Sequence, residues 1–303
     1  MLKVIKRIGL GIGIALIGLV GLLAASIIVD GLVGGNRLDA VTNTRIANPN
    51  APELRAYVAR PAKPGTYPAV IMIHEFWGLN ADIVGKADAL AQEGYVVIAP
   101  NLFRGSTTGW IPSAIYQIIA TPSQQINADL DAAFNWLAAQ PGVNKDRIGI
   151  MGFCFGGGSS LRYSLANNKL AATVLLYGSP VTDPNQLRAL PGPVLGIFGG
   201  ADQSISVTQV REFEAALKQA QVPAQISIYD GQPHAFVSSI AEIKKGGAPG
   251  QAWNQVLDFF KKNLQGTASL PREVIAATNV TPVDWSYWMM LVYEHSIGSG
   301  AHH

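Results

Sequence analysis

One cysteine in 303 residues, Cys154, excludes an intrachain disulfide and leaves a single position for thiol chemistry. Charged residues are sparse at 14% and nearly cancel to a formal net charge of +2, and no basic stripe interleaved with aromatics occurs, so a nucleic-acid partner is excluded on charge grounds. Histidine is scarce too. Of the five, His295, His302 and His303 sit in the tail, which leaves His74 and His234 for the body of the chain. His302 and His303 read either as native residues or as a tag remnant.

What the sequence does have, first, is a long uncharged run. Residues 8–29 carry no charge over 22 positions, following Lys3, Lys6 and Arg7 and ending at Asp30. About 20 apolar residues in a helix cross a bilayer core. A cleaved secretory signal has a shorter core of about 7–15 residues, and here the small-residue triplet Ala24-Ala25-Ser26 lies inside the run, so the length favours an uncleaved anchor. The basic residues ahead of it place the amino terminus inside and the following domain on the outer, periplasmic or extracytoplasmic, side. The expected organisation is an anchor over 1–30, a tether over 31–52, a catalytic domain over 53–265 and an aromatic tail over 266–303.

Second, strand and helix patterns alternate. Short apolar runs at 69–73, 95–99, 148–151, 171–177, 194–198 and 226–229 read as buried strands, with a half-buried strand at 54–60 before them. Helical patterns separate them, opened by Asn80, Ser123 and Ser206 or Val207, and a packing helix follows at 251–264. Such alternation means an α/β fold: a mostly parallel sheet with helices on both faces, whose ligands sit beyond the carboxyl ends of the strands.

The third feature lies at one of those ends. Gly152-Phe153-Cys154-Phe155-Gly156 follows the strand at 148–151 and is continued by Gly157 and Gly158. Small residues two positions either side of a nucleophile mark a strand that turns sharply into a helix and holds that nucleophile above the sheet. A lone cysteine is also a common small buried hydrophobe. Its partners decide between the two readings. Asp202 and His234 each fall just past a later strand, giving the order nucleophile, acid, histidine of the α/β-hydrolase fold. An imidazole must take the thiol proton, a carboxylate must fix its tautomer, and backbone donors must face the developing oxyanion. Asp183 is the rival acid and His74 the rival histidine.

Together Glu75, Gly-Phe-Cys-Phe-Gly-Gly-Gly around Cys154, Gly-Gly-Ala-Asp at 199–202 and His-Ala-Phe at 234–236 resemble the dienelactone hydrolase family over roughly residues 54–264. The resemblance implies an α/β-hydrolase that opens a small ester or lactone through a thiol-acyl intermediate. Cys154 would be its nucleophile, His234 its base and Asp202 the orienting acid. Glu75 matches the glutamate that binds the thiol region at rest and is displaced by substrate, and the backbone N–H groups of Phe76 and Phe155 would form the oxyanion hole. No metal or organic cofactor is implied.

Departures bear on the substrate. Where the name-giving enzyme carries an arginine after His-x-Phe, this chain has Val237-Ser238-Ser239, and Arg104 lies one position out of register with the other substrate arginine. Both argue against an anionic dienelactone. An apolar stretch at 109–121, led by Trp110, could cap the site, rest on a membrane or form a core helix; as a cap, with Arg104 nearby, it would shape a pocket for apolar esters. The aromatic tail at 283–297 is too short to span a bilayer and suits a membrane interface, a partner surface or packing against the domain. The competing reading of the whole chain is an interaction subunit of a membrane complex, with anchor and tail binding partners and the site vestigial.

Overall fold

In a computed structural model, residues 2–48, 52–266, 274–277, 280–283 and 285–298 are described. The elements in chain order are α1 (Leu2–Val41), β1 (Thr44–Ile46), β2 (Leu54–Ala59), β3 (Tyr67–Ile73), α2 (Ala81–Gln92), β4 (Val96–Pro100), α3 (Ile111–Ala120), α4 (Ser123–Ala138) and β5 (Val143–Phe153). They continue with α5 (Phe155–Ala166), β6 (Ala172–Leu176), α6 (Pro184–Leu187), β7 (Val194–Gly199), α7 (Val207–Gln219), β8 (Ala224–Tyr229), α8 (Ile240–Lys245), α9 (Gly247–Phe260) with a π-helical extension over Lys261–Gln265, and α10 (Trp285–Gly298).

One sheet holds all eight strands in the order β1-β2-β4-β3-β5-β6-β7-β8. β2 runs antiparallel to β1 and β4, and the remaining pairs are parallel. Central strands carry residues buried on both faces: Ile71 of β3 pairs with Ile98 of β4 and Ile150 of β5, and all three are fully buried. Helices cover both faces, which is why these strands read as continuous apolar runs rather than alternating ones.

The structure adds β1 within the expected tether and the short helices α6 and α8, and three further elements differ from the sequence-based expectations. Instead of a tether after residue 30, α1 continues unbroken to Val41. Its glycines disfavour helix in isolation, but its last turns are held by the domain: Leu38 is fully buried, Arg37 bonds the Thr107 carbonyl, and Asp30 pairs with both Arg37 and Thr108. Ser123 does not cap α4, because Pro122 occupies the cap with extended backbone and Ser123 begins the helix. β5 starts five residues before the apolar run, since the polar stretch Asn144-Lys145-Asp146 is a solvent-exposed start of the same strand.

The apolar stretch at 109–121 forms α3, whose buried residues are Ser113, Ala114 and Gln117, while Trp110, Tyr116 and Ile119 are exposed. It is therefore not a core helix. It lies beside α1, where Trp110 Nε1 donates to Ser26 Oγ at 3.3 Å. The aromatic tail packs α10 back on the domain through Tyr287 and Leu291, leaving Trp285, Met289 and Tyr293 exposed.

Candidate active site

β5 ends at Phe153 and α5 begins at Phe155, so the whole reversal falls on Cys154, with φ 55° and ψ −115°. A non-glycine residue at such angles costs about 1–3 kcal/mol and persists only where its surroundings impose it. They do so here by close approach. A Cβ on Gly152 would lie 2.1 Å from the Gly156 carbonyl oxygen, and one on Gly156 would lie 2.4 Å from that of Ile73. The helix start is thus pressed onto the end of β3, and Cys154 N is fixed by a 3.0 Å bond to the Leu176 carbonyl of β6. Cys154 is nearly fully buried.

Two loops over, β7 and β8 deliver the other partners. Asp202 Oδ1 accepts from the Ser204 and Ile205 N–H groups at 2.8 and 2.9 Å, which leaves Oδ2 for His234 Nδ1 at 2.7 Å. Side chains of both are almost wholly withdrawn from solvent. The loop carrying His234 crosses directly over the end of β7, where a Cβ on Gly199 would meet the Gln232 carbonyl oxygen at 2.3 Å. Burial alone would push the His234 imidazolium down, yet the Cys154 and Asp202 charges and hydrogen bonds raise it well above the ordinary histidine range. The Asp202 carboxylate on Nδ1 fixes the tautomer and leaves Nε2 as the basic nitrogen of the neutral ring.

The rivals are employed elsewhere. His74 is fully buried, with Nδ1 2.6 Å from the Glu75 carbonyl oxygen and Nε2 accepting from Leu102 N at 3.1 Å; burial lowers its pKa to about 4. It is a neutral structural histidine. Asp183 caps α6, accepting from Asn185 N and Gln186 Nε2.

Glu75, just past β3, turns Oε1 into a solvent-free position without a hydrogen-bond partner among the described residues. Burial raises its carboxyl, opposed first by the charge of Lys86 and then by that of His234. Lys86 and Tyr177 are two residues that sequence reasoning missed. Fully buried on α2, Lys86 Nζ donates to the Ser238 carbonyl at 2.5 Å and stands 4.5 Å above the Phe153 ring. Tyr177, also fully buried, donates to the adjacent Val237 carbonyl at 3.2 Å and sets its ring 5.2 Å from His234. Two neighbouring carbonyls of the His234 loop are thereby held by buried donors. The position of Lys86 between Ile83, Ala87 and Leu90 on the inward face of α2 is the one signal that could have found it.

A third missed residue comes from the tail: the Tyr287 hydroxyl lies 3.9 Å from Cys154 Sγ. Phe155 opens α5, where the first N–H groups have no intrahelical acceptor, and Phe76 is fully buried in the turn after β3. Arg104 and Trp110 are not brought to this group. The Arg104 guanidinium grips the buried Asp129 of α4 with bonds of 3.0 and 2.9 Å and lines a cavity of about 220 Å³ beside α1 and α3. Trp110 faces α1. Asp202, His234 and Glu294 offer three potential metal-ligand atoms within 4.8 Å of one another. Protein donors already serve both carboxylates, since Glu294 accepts from Gln203 N and Ser204 Oγ.

This sheet order and a strained turn after β5 define an α/β-hydrolase. The model of the dienelactone hydrolase family matches residues 54–264, and the chain belongs to that family. It is 34% identical over 223 residues to a Salmonella typhimurium protein assigned as a carboxymethylenebutenolidase, covering 69% of this chain and 82% of that one. A counterpart in Yersinia pestis is 30% identical over 236 residues, covering 73% and 88%. The crystal structure of a protein assigned as a dienelactone hydrolase from Klebsiella pneumoniae superposes with a TM-score of 0.64 at 31% identity, covering 72% of this chain and 98% of that one. The chain is accordingly an ester or lactone hydrolase of this family.

Proposed function

We propose that the enzyme cleaves its ester or lactone with a Cys154-His234-Asp202 triad. The observation that carries this reading is the pairing of His234 with Asp202 at 2.7 Å behind a cysteine in the strained turn. Cys154 Sγ attacks the carbonyl carbon while its proton passes to His234 Nε2, and Asp202 stabilises the imidazolium. The oxyanion is received by the Phe155 and Phe76 N–H groups. Collapse expels the alkoxide, which takes the proton from His234, and leaves a thioester on Cys154. Water, deprotonated by His234, then releases the acid and restores the thiol. Glu75 holds the thiol region at rest and gives way to substrate.

The rest of the proposal concerns place. α1 includes a stretch, Gly13–Val41, long and apolar enough to cross a membrane, with Ile17, Leu22 and Leu32 exposed along it. It anchors the enzyme with its amino terminus inside and the hydrolase domain outside. The full chain should therefore stay with membranes in high salt, and its domain should be cut by protease added from the outer side; a freely soluble chain would refute the anchor. For the chemistry, brief mixing with nitrophenyl acetate should add one acetyl group to the peptide bearing Cys154. Acetylation elsewhere, with Cys154 unmodified, would refute the triad.

A further inference from the structure

α10 lies outside the region matched by the family, yet one of its faces is seated on the reaction centre. Tyr287, Leu291 and Glu294 recur at i, i+4 and i+7, the spacing that places residues on one side of a helix. Glu294 binds Gln203 N and Ser204 Oγ in the loop just after Asp202, Leu291 is fully buried, and Tyr287 reaches Cys154 Sγ at 3.9 Å. The helix thus bridges the acid loop and the nucleophile. Burial, and next the charges of Cys154 and Asp202, keep the Tyr287 phenol protonated well beyond its ordinary range, so it faces the sulfur as a neutral hydroxyl.

The next residue extends the wall. Trp288 stands edge-on to Tyr287 at 5.0 Å and 6.1 Å from the ring of Phe155, the residue after the nucleophile. Beside Trp288, between α3 and α10, is a cavity of about 310 Å³ lined by Ile118, Ile126, Phe155, Val283 and Trp288, with Ser159 among its polar residues. Its lining is somewhat more apolar than polar, and its size suits an alkyl chain. Trp288 and Phe155 line it, and they adjoin Tyr287 and Cys154 in sequence.

We propose that Tyr287 is the specificity-determining residue of this hydrolase: its ring limits the acyl group that reaches Cys154, and the cavity beside Trp288 and Phe155 is the space a longer apolar acyl chain would fill. The proposal rests on the reading of Cys154 as nucleophile.

The test compares the full-length protein in detergent with its Tyr287→Ala and Tyr287→Leu variants. Turnover is measured on nitrophenyl acetate, butyrate and octanoate, and Cys154 labelling with iodoacetamide and with a bulky fluorescent maleimide. Tyr287→Ala should raise the octanoate-to-acetate ratio of kcat/KM about tenfold and speed the maleimide more than the iodoacetamide. Tyr287→Leu, which keeps an apolar contact beside Leu291, should move both readouts the same way by a smaller factor. Unchanged ratios in whichever variant folds would overturn the proposal. If no form turns over an ester while the size-dependent labelling shifts as stated, the nucleophile reading fails and the shielding of Cys154 by Tyr287 stands.

Discussion

A Cβ added to Gly152 would sit 2.1 Å from the carbonyl oxygen of Gly156. Backbone meets backbone across the turn that bears Cys154, and no side-chain rotation can relieve it. Gly156→Ala, whose Cβ would meet the Ile73 and His74 carbonyl oxygens at 2.4 and 2.6 Å, should cost about 3 kcal/mol or more, as severe overpacking does. Urea denaturation measures it, and a variant as stable as the parent would mean that the turn is not so confined.

Asp202→Asn tests the acid. The amide oxygen can still accept from Ser204 and Ile205 N–H, so the fold should hold, while the pairing with His234 Nδ1 no longer stabilises an imidazolium. We expect kcat to fall by about 10²–10⁴-fold with little change in melting temperature. A decrease of under threefold would remove Asp202 from the chemistry.

His74 makes a pH-dependent contribution to stability. Its pKa is lowered from 6.5 to about 4 in the folded chain, by burial. As pH falls through 6.5 the unfolded chain takes up the proton first, so the stability present above that pH is lost progressively and levels off below about 4. The span corresponds to about 3 kcal/mol. His74→Gln should abolish this component, so the gap in unfolding free energy between parent and variant should narrow by about that amount between pH 7.5 and 4.5. A gap constant with pH would contradict the assignment.

Arg104 holds Asp129, whose side chain is fully buried. Among the described residues, Arg104→Ala leaves that carboxylate with the 3.2 Å bond that Asn48 Nδ2 donates and should cost about 3 kcal/mol. For a neutral ester KM should stay within about twofold, because the guanidinium is committed to structure. A stable variant with a sharply raised KM would instead make Arg104 a substrate ligand.

The sheet was legible because each central strand is a short apolar run closed by a turn, and the candidate triad because three strand ends carry Cys154, Asp202 and His234 in the order the fold demands. The first five residues of β5 were not, because the exposed Asn144, Lys145 and Asp146 hide the strand's period. The continuation of α1 depends on Leu38, Arg37 and Asp30 meeting a domain distant in sequence. Tyr287, Lys86 and Tyr177 reach the site only through tertiary packing: one aromatic tail among exposed neighbours gives no hint of which ring turns inward. Arg104 and Trp110 were placed by resemblance and hydrophobicity, and their partners Asp129 and Ser26 drew them elsewhere.

If Cys154 is the nucleophile, turnover depends on its sulfur. Cys154→Ala removes only a sulfur atom from a buried site, and the full-length variant in detergent can be assayed on nitrophenyl acetate beside the parent, with circular dichroism to verify the fold. The kcat/KM should drop by at least about a thousandfold while the melting curve is retained. A folded variant that hydrolyses the ester at the parental rate would contradict it.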